Sequence, residues 1–286
     1  MTIGQNASAA KAVLLAAAVL AAPAHAWAGP ADTYYERAFM VAASARCDLF
    51  APPIVSALAA ATAQARGAAL RSGAAEADLA ATAVRAGARA GAVSCADPQL
   101  ATVRARVDAA FSGWLRTPRM TFPGARQPWT ANRLGSPQPN WRLQQTSLVG
   151  ASPVAFGYAG EGDAPGLMAV VSFVGRSRPY AARIVLRDPA RVPRAWLSGD
   201  GLAPASARIS LWATGVGAAD PALLAEGRRA GEAWRFPDSS AAALERLDPR
   251  ETFAVEFHFR DGSVATAKFE AGDFAAGRAF LAMGRL

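Results

Sequence analysis

The chain has 286 residues and a formal net charge of +8. That length suits one large domain or two modest ones. Lysine occurs only at Lys11 and Lys268, so arginine carries the positive charge; alanine swells the apolar share without supplying large core side chains. Beyond the first residues, charges or prolines interrupt every apolar run before it reaches the ~20 residues of a membrane-crossing helix.

The first 26 residues read as a removable export signal. Lys11 precedes an apolar run, Ala12 to Ala22, that ends at Pro23-Ala24-His25-Ala26. This is a positive flank, a short apolar stretch and a small-x-small cleavage site, with a second site at Ala26-Trp27-Ala28. The run is too short to anchor a chain in a bilayer. The expected location is therefore periplasmic or secreted, and removal of Lys11 lowers the charge from +8 to +7.

Residues 31–116 read as a helical bundle. Thr33 with Glu36 forms a capping-box pattern ahead of Tyr34, Phe39, Met40, Leu49 and Phe50. Pro52-Pro53 ends that helix and begins the next, which Ser72-Gly73 stops. A third helix spans about Ala75 to Val93. Asp97-Pro98 then supplies an N-cap carboxylate and a first-turn proline. The fourth helix carries Leu100, Val103, Val107, Phe111, Trp114 and Leu115 on one face. Cys47 and Cys95 are the only cysteines. In an oxidising compartment they pair as a structural disulfide. Two thiols would leave a tetrahedral zinc site half empty, and no Cys-x-x-Cys redox pair occurs.

No Asp or Glu occurs from Ala109 to Gly160. Five prolines from Pro118 to Pro139 make residues 117–140 read as a linker. The sharper alternative is a cationic, aromatic contact surface built from Arg116, Arg119, Trp129, Arg133 and Trp141, suited to sugar or phosphate groups.

Residues 141–286 alternate with period two, as antiparallel strands do. Leu167 to Val174 reads as a strand buried on both faces. Tyr180, Ala182, Ile184 and Leu186 turn one way, with Arg183 and Arg187 on the other side. Ala207, Ile209, Leu211 and Ala213 mark another strand. A short helix is expected from Ser239 or Ser240 through Leu247. Phe253, Val255, Phe257 and Phe259 precede Asp261-Gly262. A three-residue loop, Arg260 to Gly262, pairs Phe253 with Phe269 and keeps the facing consistent, whereas a two-residue loop mixes the faces. Asp273 is expected to cap a final short helix.

Chemistry-bearing patterns are sparse. His258 is the one histidine left after export. With Glu256 and Arg260 it forms a triplet on the outward face of a strand, the only obvious acid/base pair for a hydrolase; a solvated charge ladder is the ordinary role of such residues. Gly-x-Ser-x-Gly is absent, as are the Gly-rich phosphate loops. Glu161 and Asp163 look like a calcium-loop fragment without the other ligands of a 12-residue site. No cofactor or metal is therefore expected.

Two stretches carry a resemblance. Arg46-Cys47-Asp48-Leu49-Phe50, Gln64 to Arg71, and Cys95-Ala96-Asp97-Pro98 resemble exported proteins of Caulobacter-like alphaproteobacteria, which implies no particular activity. The run from Leu244 to Leu281 is similar to the C-terminal part of the invasion-associated locus B family: short helix, strand, Gly turn, strand, and a helix led by Phe274. That resemblance implies an exported, β-rich, envelope-linked domain. Members usually have more cysteines, and here none follows Cys95.

The sequence thus predicts an exported α+β protein, a disulfide-linked helical bundle followed by an antiparallel β-sandwich-like domain. Its expected role is non-catalytic binding or scaffolding in the cell envelope. The expected partner is an anionic component (lipid headgroup or glycan) or another envelope protein. Nucleic acid is not expected, because export removes it and no recognition motif is present. A periplasmic hydrolase using His258 and Glu256 is one alternative. A carrier holding a lipid-like ligand inside the sandwich is the other, and would need an apolar cavity of a few hundred Å³.

Overall fold

A computed structural model describes residues 29–160, 165–175, 177–198 and 201–286. The leader with its cleavage sites, and the Glu161/Asp163 turn, lie outside the described residues. Four helices come first: α1 (Pro30–Cys47), α2 (Pro52–Arg71), α3 (Glu76–Ala92) and α4 (Pro98–Leu115). Three of them place proline in the first turn, where its missing N–H costs nothing. The Asp97 carboxylate caps α4 by accepting from the Gln99 N–H at 2.8 Å. Gly73, at φ +100°, ends α2. The start of α1 lies earlier than the Thr33/Glu36 pattern implies. Pro30 takes the first helical position, and Asp32 instead accepts from the Gly29 N–H at 3.1 Å.

Eleven antiparallel strands follow among the described residues: β1 (Arg119–Phe122), β2 (Trp129–Asn132), β3 (Asn140–Val149), β4 (Ser152–Gly160), β5 (Gly166–Val171), β6 (Ala181–Arg187), β7 (Arg208–Trp212), β8 (Gly215–Ala218), β9 (Glu232–Arg235), β10 (Thr252–His258) and β11 (Val264–Glu270). One sheet runs β1-β2-β3-β4-β5-β9-β8 and the other β11-β10-β6-β7. Two short α-helices accompany the strands, α5 (Asp238–Glu245) between β9 and β10 and α6 (Phe274–Leu281) after β11. The α+β class is as the sequence predicts. The β10–β11 hairpin has the expected register, Phe253 opposite Phe269 and Phe257 opposite Ala265, with Gly262 at φ +82° closing the loop onto the Phe259 carbonyl.

Residues 117–140, expected as a linker, instead supply β1 and β2 at the edge of the large sheet. The prolines confine pairing to two four-residue strands rather than abolishing it.

Between the sheets the core is aromatic. Phe156 meets Trp129, Phe236, Phe253 and Phe269 at centroid separations of 5.2–6.3 Å. Trp234 meets Phe257 on the same level. This cluster continues without a break into α1, α2 and α4. The join is α6, which packs on α2 with one side and on β1, β2 and β3 with the other.

Two buried ion pairs fix the layers. Asp273 occupies the N-cap position of α6, but its carboxylate does not cap the helix. It accepts from both guanidinium nitrogens of Arg71 on α2, at 2.6 and 3.0 Å. Gly67 makes room for it, since a Cβ there would collide with the carboxylate. Arg187, expected on a solvent face, is only 4% exposed. It pairs bidentately with buried Glu251 at 2.5 and 2.7 Å, and Glu251 also accepts from the Trp196 and Asp248 N–H groups. The paired carboxylate offsets the cost of taking the Arg187 charge out of water.

Candidate functional site

The predicted arginine–tryptophan surface does not assemble. Trp129 is wholly buried and donates its indole N–H to the Glu270 and Ala271 carbonyls at 3.1 and 3.0 Å. Arg133 is buried as well. Its guanidinium donates to the Trp114 carbonyl at the end of α4 and to the Gly284 and Met283 carbonyls after α6, and lies over the Phe280 ring. Burial lowers its pKa, with the nearby Arg142 charge acting in the same direction. This is a helix-end clamp: an arginine near a helix C-terminus satisfies its orphan carbonyls. Trp141 donates to the Leu223 carbonyl at 3.1 Å. Arg116 and Arg119 are exposed. Trp129, Arg133 and Trp141 thus serve packing roles, and the five residues do not form one binding face.

The His258–Glu256 pair lies on the outer face of the smaller sheet, where pairing across β10, β6 and β7 sets Glu256, Arg183 and Trp212 in one row. Arg183 donates to Glu256 Oε2 at 2.8 Å and stacks over Trp212 at 5.2 Å. His258 sits against Trp212 and Tyr180. Its Nε2 is 3.7 Å from Glu256 Oε2, too far for a hydrogen bond, and is sealed from solvent without a partner. Burial lowers the His258 pKa, the Arg183 charge lowers it further, and Glu256 only partly opposes them. The row is a packed cross-strand ladder, and the carboxylate of a would-be acid/base pair is already spent on an arginine.

Two small clefts each hold a carboxylate. One of about 270 Å³ lies by Arg126, Gln145, Lys268 and Glu270. Burial would raise Glu270, but hydrogen bonds from the Arg126 side chain and from the Arg126 and Gln127 N–H groups outweigh it and hold the carboxyl below its usual range. Another, of about 180 Å³, holds Glu232 under Arg178. Burial raises that carboxyl, and Arg178 at 3.4 Å only partly offsets it.

A larger opening, about 520 Å³, lies in the helical layer. Its floor is Leu58 of α2; its walls are Phe39 and Met40 of α1 and Val103 and Val107 of α4. Both α1 and α4 rest on α2 yet barely meet each other. The frame is rigid at both ends of α4. The Cys47–Cys95 disulfide joins the end of α1 to the segment before α4, and Arg46 donates to the Val93 carbonyl beside it. At the other end Trp114 packs edge-on against Phe111 and Phe280, and Arg133 holds the last carbonyls. Between these anchors the predicted apolar stripe of α4 is only half covered: Leu100 and Phe111 are buried, whereas Val103 and Val107 face the groove.

Arg37 and Glu36 from α1 and Arg106 from α4 rim this groove. Arg37 donates to the Ala61 carbonyl at 2.5 Å; burial lowers its pKa, with Glu36 opposing. Sequence reading found the α4 stripe but not the groove, because an uncovered stripe and a covered one have the same spacing. The sandwich interior, where the carrier alternative places a lipid-like ligand, is occupied by the touching rings of Phe156, Phe253 and Phe269.

Among the described residues no group of three potential metal ligands occurs and no helix is long and apolar enough to cross a membrane. No protein-family model, no curated protein and no solved structure matches the chain.

Proposed function

We propose that this chain is an exported, non-catalytic binding protein of the cell envelope, and that its binding face is the groove between α1 and α4. One observation carries the reading: the large opening is apolar and rigidly framed, while the histidine–carboxylate pair is packed into a sheet face with its carboxylate bound to Arg183. Ligand sites are typically apolar clefts of ~300–1,000 Å³ with a few polar groups that orient the guest. A disulfide between cysteines 48 residues apart supports an oxidising compartment. The short leader supports export, and the net positive charge supports an anionic partner.

Native mass spectrometry of protein isolated from the bacterial periplasm tests this. The expected spectrum shows a chain cut after Ala26 or Ala28, the mass deficit of one disulfide and a bound small molecule. An intact, reduced, ligand-free chain confined to the cytosol would overturn it.

A further inference from the structure

We infer that the α1–α4 groove takes a single-tailed amphiphile with an anionic head, the tail lying on Leu58, Val103 and Val107 and the head meeting Arg106. The inference rests on the binding reading above and deepens it by naming the ligand class.

The tail follows from the walls. All three helices present aliphatic or aromatic groups to the groove, and Met40 adapts to an irregular apolar guest. At about 520 Å³ the groove suits one slender chain rather than a folded peptide element. The walls are also pre-organised. The disulfide ties the end of α1 to the segment ahead of α4, and the groove lies roughly 12–15 Å along both helices from it, at about 1.5 Å per residue. The guest therefore enters a formed slot and does not have to order the helices.

The head follows from the rim. Glu36 and Arg37 sit side by side on α1 and balance each other, and the Arg37 guanidinium is already committed to the Ala61 carbonyl. Arg106 is exposed and joins no ion pair with a carboxylate among the described residues; its neighbour Arg104 takes Asp108. The rim thus carries one surplus guanidinium beside an apolar slot. A guanidinium fork recognises a carboxylate or phosphate bidentately.

The test uses mature disulfide-bonded protein and a dansyl-labelled undecanoate, displaced in turn by dodecanoate, dodecyl phosphate and dodecanol. Saturable probe binding is expected, displaced by the two anions and at least about fivefold less well by the neutral alcohol. Which anion competes better separates a fatty acid from a phosphate-headed lipid. Arg106→Glu should erase the preference for anions. Ala110→Trp, at an exposed position on the groove wall, should block the probe while leaving the fold and its thermal transition in place. Equal displacement by dodecanol, or full binding by Ala110→Trp, overturns the inference. So does a dimer in sedimentation that Ala110→Trp splits while wild type binds no probe, since the groove would then seat a second copy. The same samples are offered a dodecanoate ester. Absent probe binding with an intact ester sinks the ligand assignment alone; ester hydrolysis that His258→Ala abolishes sinks the non-catalytic reading itself.

Discussion

The two layers of this molecule are built from different apolar residues, and their interiors differ accordingly. The sandwich is filled by phenylalanine and tryptophan, whose rings interlock at 5–6 Å centroid distances. The helical layer is built largely from alanine, with Ala57, Ala60 and Ala61 buried on α2. Small side chains let helices approach where they touch but cannot fill a gap where they diverge. A layer held at its ends by a disulfide and a buried arginine can therefore keep an open middle. A layer of large rings cannot.

Removing one ring should damage the packed layer most. Phe156→Ala deletes a fully buried ring that touches four others and should cost about 5 kcal/mol in denaturant unfolding. Losing the staple comes next. Cys47→Ser with Cys95→Ser reopens a span of 48 residues and should cost about 4 kcal/mol in the chain-entropy account. It should also loosen the groove, so hydrogen exchange should rise in α1 and α4 more than in β10 and β11.

Acid should act on the sandwich edge. The folded-state pKa of Glu270 lies below the ordinary 4.5. Its stabilisation is present above that value and is lost as pH falls through the lower, folded value. Asp248 behaves likewise: burial would raise it, but hydrogen bonds from Arg250 hold it below 3.8. Asp273 has the opposite sign, because burial raises it against the pull of Arg71; its contribution is full below 3.8 and fades as pH rises through its raised value. Glu270→Gln should therefore lower stability by about 2 kcal/mol at neutral pH and flatten the acid limb of a stability–pH curve. The smallest effect belongs to the open groove, where Ala110→Trp should change stability by less than about 0.5 kcal/mol.

What could be read from the sequence was local. Pro52, Pro98 and Gly73 mark helix boundaries through their own backbone chemistry, and the spacing of Phe253 to Phe269 around Gly262 fixes a register. The α1 cap was misplaced by one turn because Gly29-Pro30 and Thr33/Glu36 offer competing starts, and proline won. What could not be read depends on distant partners. Arg187 alternates onto the polar face of β6, but Glu251, 64 residues on, draws it inside. Trp129 and Arg133 resemble a ligand surface until β2 carries them beneath α6. The groove is a space between helices, and the period of α4 says nothing about how far away α1 lies.

The most direct measurement is hydrogen exchange of the disulfide-bonded protein with and without saturating dodecanoate. New protection confined to Pro30–Cys47 and Pro98–Leu115, with β10 and β11 unchanged, is the predicted result. Protection appearing in the sandwich strands, or none anywhere, would contradict the assignment of binding to the helical layer.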